Sequence, residues 1–128
     1  MFGNLKAMGA LAGLMQDKQK LTDAAEHLKG EAERLRAIGE SGGGVVTATA
    51  DGKMRILEVK VSPAAASALG DDASRAQVEQ LIADATNAAI ENAQRQMRVV
   101  VEREARELGL EDVLGQIPNI PGLPGGGA

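Results

Sequence analysis

The chain is 128 residues long, carries 14 Lys and Arg against 18 Asp and Glu, and has no cysteine and a single aromatic residue, Phe2. That composition excludes disulfides, thiolate catalysis and cysteine-based zinc sites, and it leaves no Trp or Tyr to anchor a core or stack on bases. The length suits one domain with a small core of Leu, Val, Ile, Met and Ala; the net charge of −4 argues against a surface that is basic throughout.

Met1 to Met15 holds one Lys, scattered glycines and no cleavage pattern, so no secretory leader is expected. No apolar run approaches the roughly 20 residues that span a bilayer. Gly3, Gly9 and Gly13 each cost about 1 kcal/mol against Ala in a helix, which predicts a frayed start. Their alternative use is close approach of two backbones, a spacing whose force belongs to membranes. From Leu14 the period becomes helical: Leu14, Leu21, Ala25, Leu28, Ala32 and Leu35 make one narrow apolar stripe, suited to a coiled-coil-like seam. Lys18, Lys20 and Lys29 lie off the stripe among acidic residues. The only histidine, His27, sits beside Leu28 among Asp23, Glu26 and Glu31 and is expected to face solvent.

The strongest strand signals follow. Val45 to Ala50 is rich in β-branched residues, and Met54 to Val61 alternates Leu57, Val59 and Val61 against Glu58 and Lys60. Asp51-Gly52 between them predicts a two-residue hairpin turn with positive φ at both positions, placing Leu57, Val59 and Val61 inward. Pro63 ends the second strand because it has no N–H to donate. Gly42-Gly43-Gly44 is followed by a strand and lacks Gly-Lys-Ser/Thr, so neither a P-loop nor a dinucleotide fingerprint is present. Those glycines are read as a sharp turn or bulge.

Ala64 to Leu69 predicts a short helical turn or linker ended by Gly70, and Asp71 or Asp72 then caps a long helix over Ala73 to Leu108. Val78, Leu81, Ile82, Ala85, Ala89, Ala93, Met97, Val100 and Val101 trace its apolar side, and Gly109 stops it. Such a helix is about 50 Å long, more than a small sheet covers. The exposed remainder, with Val99-Val100-Val101, predicts a homodimer. The Pro/Gly-rich end reads as a flexible tail, dividing the chain into residues 1–114 and 115–128.

Candidate chemistry concentrates in cations. Arg95, Arg98, Arg103 and Arg106 fall within about 140° of one helix face, and arginine forks match phosphate oxygens without regard to sequence. Lys18 and Lys20 on the first helix join them as candidate DNA contacts. The opposing reading is that Glu102, Glu104 and Glu107 occupy these arginines in pairs within the helix. Ser41 and Ser62 have no evident base, and Asp71-Asp72 and Glu111-Asp112 sit at helix ends where capping explains them. No catalytic residue, metal site or cofactor is expected.

Gly39-Glu40-Ser41-Gly42-Gly43-Gly44-x-Val46, a strand, Asp51-Gly52, a second strand and Ser62-Pro63 together resemble the bacterial YbaB/EbfC family of nucleoid-associated proteins. The resemblance covers roughly residues 8–100 and a Pro/Gly tail of similar character. It implies an α+β fold: a long helix, a small three-stranded antiparallel sheet with an extra strand near Arg34 to Ser41, and a second long helix, assembled as an intertwined homodimer. It also implies binding of double-stranded DNA with little sequence preference, effects on nucleoid organisation and gene expression, and a cytoplasmic, nucleoid location. Two departures stand out. The family often places basic residues just after an Asn-x-Ala motif in the last helix, whereas Asn87-Ala88-Ala89 is followed here by Ile90, Glu91 and Asn92. The first helix, glutamine- and methionine-rich in many relatives, is acidic here. A second function stays open on these grounds: a structural dimer that binds a recombination or replication protein, with weak or no DNA contact.

Overall fold

The computed structural model describes residues 2–109, and their side chains from Lys18 onward except that of Leu108. The elements run α1 (Phe2–Arg34), β1 (Ala37–Ser41), β2 (Val46–Ala50), β3 (Ile56–Val61), α2 (Pro63–Leu69) and α3 (Asp72–Leu108). The three strands form one antiparallel sheet in the order β1-β2-β3. The α+β architecture and the strand before the glycines are therefore as the resemblance implies. The expected flexible tail lies outside the described residues.

The sheet packs one face on α3. Paired residues point to the same side of a sheet, and the pairs Ala37 with Ala50, Gly39 with Ala48, and Ser41 with Val46 form the inner face. Against it α3 presents Ala85, Ala89 and Ala93, each fully buried. The centre of the core is thus alanine throughout except for Val46, with Leu35, Met54, Ile56, Leu81 and Ile82 around its margin. Small side chains on both surfaces allow the sheet to lie very close to the helix. At Gly39 the approach is closest: a Cβ there would collide with the α3 backbone at Ala85 and Ala89. Two further bonds fix β1 in place. Ser41 Oγ donates to the Leu81 carbonyl at 2.5 Å, and Asn92 Nδ2 donates to the Ile38 carbonyl at 2.6 Å.

Gly42, Gly43 and Gly44 all take positive φ, 61°, 71° and 97°, so the turn reading of this run holds. The hairpin between β2 and β3 differs from the expected one. Neither Asp51 nor Gly52 is left-handed; Met54 is, at φ 63°. The connection is longer, closed by Asp51 N–H to the Arg55 carbonyl at 3.0 Å, and β3 starts at Ile56. A register shift at Thr49/Ala50 then pairs Ala50 with Ile56 and Thr49 with Glu58, leaving Leu57 out of the ladder. Leu57 is accordingly 46 % exposed rather than inward. Val59 does lie opposite buried Ala48, but it keeps 39 % exposure, while all three inward residues of β2 are buried.

The helices also depart from expectation at their ends. α1 is helical from Phe2, so Gly3, Gly9 and Gly13 lie within it rather than in a frayed lead-in. Among the described side chains its apolar stripe is covered towards the C-terminal end: Ala32 is buried and Leu28 and Leu35 are half-buried, but Leu21 and Ala25 are exposed. Asp71 occupies the N-cap of α3, but its side chain accepts from no backbone N–H of the first turn; the carboxylate instead accepts from Ser74 Oγ at 2.8 Å. Ser62 caps α2 by accepting from Ala65 N–H at 3.2 Å, with Pro63 at the first helical position, where a missing N–H costs nothing. Gly109, left-handed at φ 69°, closes α3 as expected.

Two glycine substitutions separate close packing from backbone strain. Gly39→Ala forces β1 off α3 and should lower unfolding free energy by about 3 kcal/mol. Gly43→Ala meets no atom within 4 Å and should cost about 1 kcal/mol, from its positive φ alone. Urea denaturation of the two variants measures the difference.

Candidate nucleic-acid interface

The second half of α3 carries the arginines that the sequence singles out. Arg98, Arg95 and Arg106 lie within about 80° of one another around the helix, and Arg103 sits about 60° further round, on the side facing α1. All four are exposed. Their partners differ. Arg95 donates to Asn92 Oδ1, and Asn92 is itself tied to β1, so this guanidinium is held by the sheet. Arg98 Nε donates to Glu102 at 3.3 Å, in a pair whose side chains are both about half exposed. Such pairs contribute little in water, so a phosphate can displace the carboxylate. Arg103 reaches across to Glu31 of α1 at 3.6 Å. No ion pair among the described residues engages Arg106.

Lys18 and Lys20 are exposed but do not join this group. α1 runs antiparallel to α3, with Ala32 and Met97 both against Gly52 and His27 against Glu104. Lys18 therefore lies about 13 Å along α1 beyond His27, on the side away from Arg95 and Arg98. The structure thus brings Arg95, Arg98 and Arg106 together, sets Arg103 at the helix junction, and leaves the two lysines apart. The departure at Asn87 has a structural counterpart: Asn87 is exposed, and it is Asn92 that anchors α3 to the sheet.

A second group of cations was not legible in the sequence. Around Glu33, at the end of α1, the hairpin turn brings Lys53 and Arg55 towards Lys29. Lys53 Nζ donates to Glu33 at 2.9 Å. That bond, with the positive charges of Lys53, Lys29 and Arg55, holds the Glu33 carboxyl below its usual range. Asp51 organises the turn itself. Its buried carboxylate accepts from Lys53 N–H at 2.9 Å, from Arg55 N–H at 3.1 Å, and from Arg55 Nε and NH2 at 3.1 and 3.0 Å. Burial alone would raise its pKa; these donors outweigh burial and hold it below the usual value. The only signal was Asp51 itself, four residues before Arg55, within a stretch read as a tighter turn.

The remaining polar residues that carry chemistry elsewhere are occupied structurally. Ser41 and Ser62 hold α3 and α2, and Asp71 and Asp72 bond Ser74 and Arg75 at the start of α3. His27 is half exposed, yet it touches Glu104 of α3 instead of facing solvent alone. Among the described residues, no helix is long and apolar enough to cross a membrane.

Comparison with known proteins gives consistent matches. The sequence model of the YbaB/EbfC DNA-binding family matches residues 8–107. A nucleoid-associated protein of Thermobifida fusca is 31% identical over 121 residues, covering 94% of this chain and 97% of that protein. One of Chlorobium phaeobacteroides is 31% identical over 109 residues, covering 84% and 93%. One of an Anaeromyxobacter species is 38% identical over 80 residues, covering 62% and 74%.

The Asp51 cluster makes a pH prediction. A carboxyl whose folded pKa is depressed adds stability that is complete above its unfolded value of about 3.9 and is lost as pH falls through the folded value. Asp51→Ala should cost about 3 kcal/mol at neutral pH, because two backbone N–H groups and a guanidinium lose their acceptor. It should also flatten the acid limb of the stability curve. Urea midpoints across the acid range in both proteins check the two effects together.

Proposed function

The chain belongs to the YbaB/EbfC DNA-binding family, and from that premise we propose that it is a non-catalytic nucleoid-associated protein. On this reading it binds double-stranded DNA as a homodimer in the cytoplasm and influences nucleoid organisation and gene expression. The observation that carries the reading is the exposed set Arg95, Arg98 and Arg106 on one side of α3, with Arg95 pre-positioned through Asn92. Contacts go chiefly to the phosphate backbone, because the chain has no Trp or Tyr to stack on bases. The homodimer is supported by apolar surface that one chain leaves open: Leu21 on α1, Leu57 and Val59 on β3, and Val99 on α3, 39–60 % exposed. Sedimentation should then give twice the 13.2 kDa of the chain.

A second reading has its own support. The chain is acidic overall, and Arg98 and Arg103 already face Glu102 and Glu31. A dimer of that charge suits a protein partner, such as a recombination or replication factor, with DNA contact weak or absent.

Fluorescence anisotropy on a duplex of arbitrary sequence, in a salt series, separates the two. The DNA reading expects micromolar or tighter binding at low salt that weakens linearly on a log–log plot. Replacing Arg95, Arg98 and Arg106 together with Ala should weaken binding and lower the salt slope by about 3 per protomer engaged. No binding by the wild type at low salt would favour the protein partner; an unchanged slope in the triple variant would remove these arginines from the interface.

A further inference from the structure

Glu104 occupies a position on α3 where burial would favour a small apolar residue. Its side chain keeps 9% of its exposure, and its Oε1 is buried without a well-directed hydrogen bond. A carboxylate removed from water in this way needs a charged or donating partner. The group placed to serve is on the other helix. His27 Nδ1 touches Glu104 Oε1, while the second ring nitrogen, Nε2, lies 3.7 Å from Glu31 Oε1, one turn along α1. The imidazole therefore stands between two carboxylates, one facing each nitrogen. A neutral ring has one N–H and one lone pair, so it can donate to only one of them and must turn its lone pair to the other. An imidazolium carries an N–H on each nitrogen, one towards each carboxylate.

Two other charged groups reach the cluster. Arg103 of α3 lies 3.6 Å, and Arg34 of α1 3.8 Å, from Glu31 Oε1. Both offer charge to Glu31. Neither has an ion-pair contact with Glu104, whose only such contact among the described residues is with His27.

We propose that His27, Glu31 and Glu104 form a proton-operated clasp between α1 and α3, closed when the imidazole carries its second proton and loosened when it loses it. Imidazole is the side chain that ordinarily changes charge between pH 5 and 8. In the folded chain the ring stands against two carboxylates that the unfolded chain does not gather. The clasp is closed at the acid end of that window and loosened as pH rises through it. It is the most N-terminal ion pair from α1 to α3 among the described residues, and Lys18 to Asp23 beyond it are exposed. Opening it frees α1 to change its angle to α3.

The full-length protein, at one fixed concentration, tests it by thermal unfolding at pH 6 and pH 8, a window above ordinary carboxylate titration. Wild type should lose about 4 °C more than His27→Gln across this interval. Glu104→Gln, which keeps the size of the side chain but not its charge, should suppress the loss as well. Should Glu104→Gln fail to fold, Glu31→Gln serves in its place, since it removes the second carboxylate at a position less buried than Glu104. Amide exchange adds a local readout. After correction for intrinsic rates, amides from Asp23 to Leu28 should open more readily at pH 8 than at pH 6 in wild type, and equally at both in His27→Gln. Parallel pH dependence in wild type and His27→Gln overturns the clasp, as does a change in exchange spread evenly over the whole chain.

Discussion

The structure depends on the absence of side chains between β1 and α3. Gly39 lies directly on the helix backbone between Ala85 and Ala89, and even a methyl group there would collide. That contact sets the height of the sheet above the helix, and the rest of the inner face follows from it. Ala37, Ala48 and Ala50 meet Ala85, Ala89 and Ala93, because larger residues on either surface would lift the sheet away. Close packing of small groups maximises dispersion contact, but each alanine removes little apolar area from water. A core of this kind leans on fixed polar ties at its edges. Ser41 to Leu81, Asn92 to Ile38, and Gly52 N–H to the Ala32 carbonyl at 2.8 Å are those ties.

The charge of the chain is distributed by the same geometry. With the inner side of α3 given to alanines, its arginines are turned outward, and several acidic residues are drawn into local pairs. Glu31 faces Arg34 and Arg103, Glu33 is bonded to Lys53, and Asp51 is saturated by donors from its own turn. An overall charge of −4 therefore does not describe the face that carries Arg95, Arg98 and Arg106. The interaction that organises Arg95 runs through Asn92 to the sheet, so the packing of β1 and the presentation of that cation are one arrangement. α1 behaves differently. It is tied at its C-terminal end by Ala32 and by the charges around Glu31 and Glu33, while Leu21 and Ala25 remain exposed.

Most of the architecture was written in short-range patterns. The heptad-like steps of α1, the apolar face of α3 from Val78 to Val100, the left-handed stop at Gly109 and the three positive-φ glycines were all legible, because each rests on residues within a few positions of one another. Family membership was legible too, through the order of glycines, hairpin and Ser62-Pro63. The hairpin register was not. Alternation placed Leu57 inward, but the bulge at Thr49/Ala50 put Ile56 in the ladder instead, and a bulge arises from how a turn closes rather than from the period of the strand.

Composition and periodicity by themselves pointed to two long helices around a β-hairpin, a small aliphatic core and cations concentrated on the last helix. Only the tertiary structure decided which of those groups meet. Gly39 against Ala89, Asn92 beneath Ile38, Lys53 beside Glu33 and His27 against Glu104 join positions separated by 20 to 77 residues. A local pattern carries no information about which distant turns come into register. That choice was made by how closely the sheet settles on α3, and by where the hairpin turn consequently meets the end of α1.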